Sequence, residues 1–492
     1  MTTPLETAAD PASLRRVVIE PLTRVEGHGK VTILLDDQHR VHQVRLHIVE
    51  FRGFERFIQG RPYWEVPVMV QRLCGICPVS HHLAAAKALD HVVGANQLTA
   101  TADRVRRLMH YGQILQSHAL HFFYLAAPDL LLGFASEVER RNLVGVLAGY
   151  PDLARQGILL RKFGQEVIRV TAGKRVHGTG AIPGGVNKAV TAAERAELAA
   201  ALPDVLGWAE LGVELIADLH ARDPEGYARF GAVRSNLLSL VGRDGALDLY
   251  DGVLRARDAD GAIIFDGVAA EDYHGILREN VRSWSYMKFP FIAALGPEVG
   301  WYKVGPLARL QNCDRIGPPR AEAALQRWRA TAPGRYLHAP LGYHWARMIE
   351  LLHAAEVIAE LLDDPALLGD QLTVSGPRAS SGVGIIEAPR GTLIHHYEVD
   401  AQDLVTMCNL IVSTTHNNQA MNESIRQVAR DHLDGHEPSE ALLNHIEVAI
   451  RAFDPCLSCA THALGKMPLA IEVVDATGVV VGRRVRDGER LA

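Results

Sequence analysis

Hydrophobic and polar positions divide the chain into three kinds of stretch. Near the start, RRVVIEPL, KVTILLDD and VHQVRLHIVEF are rich in Val, Ile and Leu and partly alternate, with Gly27, Gly29 and the Asp36-Asp37 pair between them. Alternating apolar runs bounded by turn residues predict strands, here a small antiparallel sheet. After Cys77 the pattern turns helical. Pro78 suits a first helical position, and HHLAAAKALDHVV follows without a breaker until Gly94, which makes Cys77 the N-cap. Unpaired N–H groups and the helix dipole favour a thiolate there. Helical periodicity continues over about 103–124 and 152–170. Thr191 and Glu194 form a capping-box signature, and Pro203 is expected to kink or restart the helix behind them. Trp345, Ile349, Leu352, Ala355, Ile358 and Leu362 keep a helical period as far as Pro365. Ser439 can cap a helix carrying Leu442, Ile446, Ile450 and Phe453; Pro455 ends it, so Cys456 falls just past its C-terminus. The tail, PLAIEVVDATGVVVGRRV, reads as a β-hairpin turning near Thr477-Gly478, and the Ser/Gly-rich residues 374–384 are the best loop candidate.

The expected fold is therefore mainly α with small β (α+β). A large central helical bundle is joined by a small N-terminal antiparallel sheet and minor β elements near the C-terminus. The 492 residues could hold roughly three domains, but no repeat, low-complexity tract or clear linker divides them, and one large unit is the expectation.

Composition narrows the function. Hydrophobic residues make up 48% and charged residues 22%, enough to bury a sizeable core. The net charge is -6 with no basic tail or stripe, which argues against nucleic acid as a partner. The N-terminus has no signal-peptide core, and the most apolar stretch, 119–135, is interrupted by Pro128 and Asp129. It falls short of the ~20 apolar residues a spanning helix needs. A cytoplasmic protein with no membrane partner is expected. Six cysteines are too sparse for a disulfide framework, and a reducing compartment fits. Cys313 and Cys408 stand alone and read as small core residues.

The other four cysteines carry the chemistry. RLCGICPVSHH contains Cys74 and Cys77; DPCLSCATH contains Cys456 and Cys459. Two CxxC pairs can offer four thiolates to one centre, and soft thiolates suit zinc, iron or nickel. A structural zinc site is the plain alternative. Zinc modules, however, keep their pairs about 12–20 residues apart, whereas these would staple the two ends of the chain.

These two segments resemble the nickel-binding signatures of nickel–iron hydrogenase large subunits, R-x-C-G-x-C-x-x-x-H and D-P-C-x-x-C-x-x-H. RVEGHGKV, VEFRGFE, IPGGVN, WSYMKFP, VGPLARLQN, EAPRGTLIHHY and NLIVSTTHNNQAMN also resemble family segments, in family order, and the nearest likeness is to soluble bidirectional NAD-linked members. The resemblance implies Cys74 and Cys456 as terminal nickel ligands, and Cys77 and Cys459 as thiolates bridging nickel to an iron that carries cyanide and carbon monoxide. Arg390, after Pro389 in APRG, looks like the guanidinium over the open metal position, and Thr414 like the hydroxyl that bonds the other cyanide. His81 looks like the histidine that bonds a bridging sulfur; its four-residue offset from Cys77 puts it one helical turn on, on the same side. Asp454 would sit near the metals. Glu26, in RVEGH, resembles the proton-gate glutamate that takes a proton from Cys456; from the residues alone, an ion pair with Arg24 is the plainer reading. Glu55, the carbonyl of about Leu410, and His462 look like ligands of a magnesium-like ion. Ser117 stands where some membrane-bound members carry an aspartate, which bears on subgroup only.

Precursors in this family are cut after the last histidine of the second signature. By that likeness, 1–462 form a single large-subunit domain and 463–492 an extension removed on maturation, which implies a maturation endopeptidase and nickel-insertion proteins. No GxGxxG or GxxxxGK[ST] loop is present, and no cysteines remain for iron–sulfur clusters. The resemblance supplies a small subunit with an iron–sulfur cluster and diaphorase subunits with FMN that reduce NAD. The rivals are a hydrogenase serving a deazaflavin or NADP, and a non-catalytic structural metal or complex I-like subunit. Relatives of that last kind have lost the cysteines this chain keeps.

Overall fold

The alternating N-terminal runs form β1 (Arg15–Ile19), β2 (Gly29–Leu35) and β3 (Val41–Ile48) of an antiparallel sheet. Ile33 pairs with Val17 on one side and Val44 on the other. Period-two alternation places Val31, Ile33 and Leu35 with Val44, Leu46 and Ile48 in the main core, where each such side chain contributes about 1.5–3 kcal/mol. The computed structural model describes residues 8, 10–48, 50–51, 53–282, 284–331, 337–460, 469–474 and 480–486.

The helices follow their punctuation. Cys77 is the N-cap of α1 (Pro78–Val92). Thr99 caps α2 (Ala100–Leu120), its hydroxyl accepting from Ala102 N at 3.1 Å. A π-helical turn, His121–Ala126, then leads into α3 (Ala127–Leu132). Next come α4 (Pro151–Ala172), α5 (Ala192–Arg222), α6 (Gly342–Asp363), α7 (Asn418–His432) and α8 (Glu440–Ala452). The capping box at Thr191 and Glu194 is present, and Ser439 caps α8. Pro203 does not restart its helix, for α5 runs through it. The ring lies on the exposed face, where the carbonyl it leaves unpaired can meet solvent. α2 packs against α4 and α6, and α6 against α5.

Strand content exceeds the expectation. β4 (Asn236–Val241), β5 (Val253–Arg257) and β6 (Ile263–Val268) join β7 (Tyr302–Lys303) in a sheet of order β7-β4-β5-β6, with β7 parallel to β4. A second, antiparallel sheet holds β8 (Ser381–Ala388), β9 (Gly391–Val399) and β10 (Val405–Ile411). β4 is buried throughout and β8 at all but its first position, so neither carries the alternation of a half-exposed strand. Residues 381–384 of the loop candidate belong to β8.

This sheet sets up the site. α1 lies against β8 and β9, and its alanine run lets backbone approach backbone: a Cβ at Gly384 would fall 2.3 Å from Ala84 O. Ala388 pairs with Gly391, leaving Pro389 and Arg390 as the two-residue tip of a hairpin beside the N-terminal end of α1. In the tail, β11 (Leu469–Val474) pairs antiparallel with β12 (Val480–Arg486). The expected turn at Thr477-Gly478 lies outside the described residues.

Candidate metal centre

Four sulfurs meet at this point. Cys74 and Cys77 come from the turn entering α1; Cys456 and Cys459 follow α8. Their Sγ atoms all lie within 4.8 Å of one another, with Cys74–Cys77 at 3.0 Å, Cys74–Cys456 at 3.3 Å and Cys456–Cys459 at 2.7 Å. All four are buried. Ile76 N and Cys77 N donate to Cys74 Sγ at 3.2 and 3.1 Å, the donors expected where a loop turns into a helix N-terminus.

The charges around them are uneven. Burial works against ionising Cys74, but thiol donors from Cys456, Cys459 and Cys77, with the Arg390 charge, outweigh it and hold its pKa well below the ordinary thiol value. Burial pushes Cys456 and Cys459 well above it. Four crowded sulfurs cannot all become thiolates without added positive charge. Arg390 supplies one cation from the hairpin tip: Nε donates to Asp454 O at 2.6 Å and Nη2 to Asp454 Oδ1 at 3.0 Å. Although burial opposes its charge, Asp454 and the cysteines keep Arg390 protonated. Burial raises the Asp454 carboxyl despite Arg390 and Arg347. The two directions pull apart for this ion pair; the guanidinium's charge is the firmer of the two, because arginine does not deprotonate in proteins.

A small cavity beside the sulfurs is lined by Cys77, His81, Pro389, Arg390, Thr414 and Cys456, among others. Arg390 Nη1 and Asp454 Oδ2 are buried with no protein partner. A closed zinc site with four cysteine ligands would leave these groups without purpose. Four soft thiolates, a neighbouring space and an unspent guanidinium donor fit a thiolate-bound nickel and iron with small ligands in the cavity.

Thr414 Oγ1 accepts from Cys456 N at 2.9 Å, so its own proton can point elsewhere. His81 Nδ1 lies 3.1 Å from His395 Nε2, and His395 Nδ1 lies 2.6 Å from the Tyr397 hydroxyl, a relay that fixes the ring. Glu26 does not pair with Arg24. Its Oε2 accepts from Cys456 Sγ at 3.0 Å and from Ser458 N at 3.2 Å, and Leu457 N donates to its carbonyl at 2.9 Å. Gly27, at φ +81°, permits that contact, since a Cβ there would meet Ser458 N at 2.6 Å. Burial, then the Cys74 charge, raises the Glu26 pKa. Glu55 Oε1 accepts from Leu410 N at 2.8 Å. His462 lies outside the described residues.

The comparisons decide the family. A family model described as nickel-dependent hydrogenase matches residues 52–132 and 256–462, and a HoxL-like model matches residues 16–51. This chain belongs to the nickel-dependent hydrogenase family. Among its relatives in the family, it is 47% identical to the NAD-reducing hydrogenase HoxS subunit beta of Cupriavidus necator, covering 96% of this chain and 100% of that one. It is 40% identical to a subunit of the F420-non-reducing hydrogenase of Methanothermobacter thermautotrophicus, over 95% and 99%. A solved NAD+-reducing [NiFe]-hydrogenase in the H2-reduced state superposes with a TM-score of 0.90 at 60% identity, covering 91% of this chain and 99% of that one. The Ni-Fe-Se hydrogenase of Desulfovibrio vulgaris Hildenborough, at 23% identity and TM-score 0.75, shares the fold.

Sequence reasoning missed the hydrogenase's buried supports. Arg309 donates to both oxygens of Glu350 at 2.6 Å, to Glu387 Oε2 at 2.9 Å and to Ala388 O at 2.8 Å, holding the strand that ends in Pro389-Arg390. His121 Nε2 lies 2.6 Å from Arg451 O, and Arg347 donates to Ala452 O at 3.0 Å. Only the arginine inside VGPLARLQN hinted at any of this.

Proposed function

We propose that this chain is the catalytic large subunit of a cytoplasmic NAD-reducing nickel–iron hydrogenase, which as a complex catalyses H2 + NAD+ ⇌ H+ + NADH. The meeting of four buried sulfurs from both ends of the chain beneath the Arg390 hairpin tip carries the reading. In it, Cys74 and Cys456 would hold the nickel, and Cys77 and Cys459 would hold nickel and iron together. When bound, the two metals supply the redox chemistry that splits hydrogen into protons and electrons.

The chain's own residues then position and move charge. Arg390 Nη1 and the Thr414 hydroxyl are donors for the small ligands of the iron, packed by Pro389, and Asp454 holds the guanidinium in place. His81 orients a bridging sulfur. Cys456 passes its proton to Glu26 across a contact short enough for direct transfer. Glu55, the Leu410 carbonyl and His462 hold a magnesium-like ion in an oxygen-rich shell; the contact between Glu55 and the Leu410 amide supports this grouping. Residues 1–462 form the working domain, and 463–492 are removed by a maturation endopeptidase after nickel-insertion proteins act. The family match, which stops at residue 462, supports that boundary.

Electrons leave through a small subunit with an iron–sulfur cluster and diaphorase subunits carrying FMN. The higher identity to the NAD-reducing relative than to the F420-non-reducing one supports NAD over other acceptors. No described helix is long and apolar enough to cross a membrane. The test is the metal content of the complex from its native host, with cluster iron subtracted. Each large subunit should hold one nickel and one further iron, and Cys456→Ala should lose both nickel and hydrogen uptake. Zinc without nickel, or uptake that survives Cys456→Ala, would overturn the assignment.

A further inference from the structure

The contact between Cys456 and Glu26 joins two chain arms that are remote in sequence, and neither arm is a regular element at that point. Arg24 sits at φ +55° and Asp454 at +54°, both left-handed, a conformation a non-glycine residue keeps only when its surroundings impose it. One side chain touches both arms. Asp129, on α3 directly after the π-helical turn, is 2% exposed. Its Oδ1 accepts from Arg24 Nη2 at 2.6 Å, and its Oδ2 from Arg451 Nη1 at 3.0 Å. Arg24 lies two residues before Glu26; Arg451 lies five before Cys456.

Each arginine is then tied a second time. Arg24 Nη1 donates to Leu125 O at 2.7 Å, on the π-helical turn itself. Arg451 donates from Nε to Thr23 O at 2.9 Å and from Nη2 to Thr23 Oγ1 at 2.7 Å, crossing from the C-terminal arm to the N-terminal one. Asn444 Nδ2, 3.3 Å from Asp129 Oδ1, and the buried Arg141, with Nε 3.7 Å from the same oxygen, lie around the carboxylate as well. Two guanidiniums converging on one buried carboxylate form a fork with little rotational freedom. Insertion of an extra residue per turn, as in a π-helix, re-aims the side chains that follow it, here bringing Asp129 to the gap between the arms.

We infer that Asp129 is a positioning residue for proton transfer, the clamp that sets the Cys456–Glu26 distance by holding Arg24 and Arg451 on its two oxygens. It touches neither sulfur nor Glu26 and acts through the two arms. The inference rests on the reading of Glu26 as the proton acceptor, and the experiment separates the two.

The measurements use the intact complex carrying Asp129→Asn, Arg24→Lys or Glu26→Gln. Three are made on each: nickel content with the cyanide and carbon monoxide infrared bands, the Glu26 carboxyl band, and the ratio of D2 exchange with solvent protons to para–ortho interconversion of H2. The interconversion needs hydrogen split and re-formed without solvent protons, so the ratio isolates proton export. Asp129→Asn is expected to keep nickel and the diatomic bands, to shift the Glu26 carboxyl band, and to lower the ratio at least tenfold. Arg24→Lys, at a partly exposed residue and so gentler on folding, should do the same, because a single ammonium nitrogen replaces the two-nitrogen fork that spans Asp129 and Leu125 O. A parental ratio with an unmoved carboxyl band in a nickel-loaded variant of either kind overturns the clamp. If Glu26→Gln keeps the parental ratio, the acceptor reading falls instead, and the carboxyl band alone judges the clamp.

Discussion

Arg390 carries more of the site than any other non-cysteine residue. Its guanidinium spends two nitrogens on Asp454 and leaves Nη1 unpartnered at the cavity. Lysine at this position keeps the charge but not the fork, so it cannot hold Asp454 O and Oδ1 and still present a donor. Arg390→Lys should therefore keep its nickel while hydrogen uptake falls by about 10²–10³, the usual loss on removing one preorganised donor; paired uptake and nickel assays check this. At this scale the sequence is informative where chemistry demands rare residues in rare spacing. The four cysteines announce a centre, and the arginine between Pro389 and Gly391 stands out. Asp129 does not, because its partners Arg24 and Arg451 lie 105 and 322 positions away and an aspartate in an apolar run marks only an interruption. The supposed Arg24–Glu26 pair failed for the same reason: neighbours in sequence turned to partners across the fold.

Between elements, the joint is the buried array that ties α6 and α2 to the hairpin. Arg309, Glu350 and Glu387 have no exposed side-chain surface, and His118 Nε2 lies 3.0 Å from Glu350 Oε2. Burial alone would raise the Glu350 pKa, yet Arg309 and His118 bring it down to about 2. A carboxyl depressed on folding adds stability that is fully present above its unfolded value, about 4.5, and is lost as pH falls toward 2. Glu387, on the same arginine, is pushed up by burial, so its linkage has the opposite sign and a variant is needed to isolate Glu350. Glu350→Gln leaves the buried Arg309 charge with Glu387 as its one remaining carboxylate partner among the described residues and should be less stable at neutral pH, by up to about 3–5 kcal/mol. Its thermal midpoint should also fall less steeply than the parent's from pH about 5 to about 3; parallel slopes would refute the assignment. Helices were legible from caps and period because each has a polar face or a punctuating residue. The sheets at 236–268 and 381–411 were not: β4, β5 and β8 are buried on both faces and lose the alternation that betrays a strand, and β6, with no buried position, has no apolar face to show it.

On the scale of the molecule, the chain closes on itself: the turn before α1 and the segment after α8 complete a single cluster, while β11 and β12 lie beyond residue 462. If 463–492 are removed on maturation, intact mass spectrometry of the active complex will give a large subunit ending at His462; a nickel-loaded, active chain retaining those residues would disprove the cut. The order in which a ribosome delivers the four sulfurs gives the long separation a further meaning. Cys74 and Cys77 emerge on the order of tens of seconds before Cys456 and Cys459, and until the last pair arrives no growing or truncated chain can complete the cluster. A finished centre thus certifies a chain made at least as far as Cys459, and a cell that withholds metal from incomplete sites wastes none on copies broken before it.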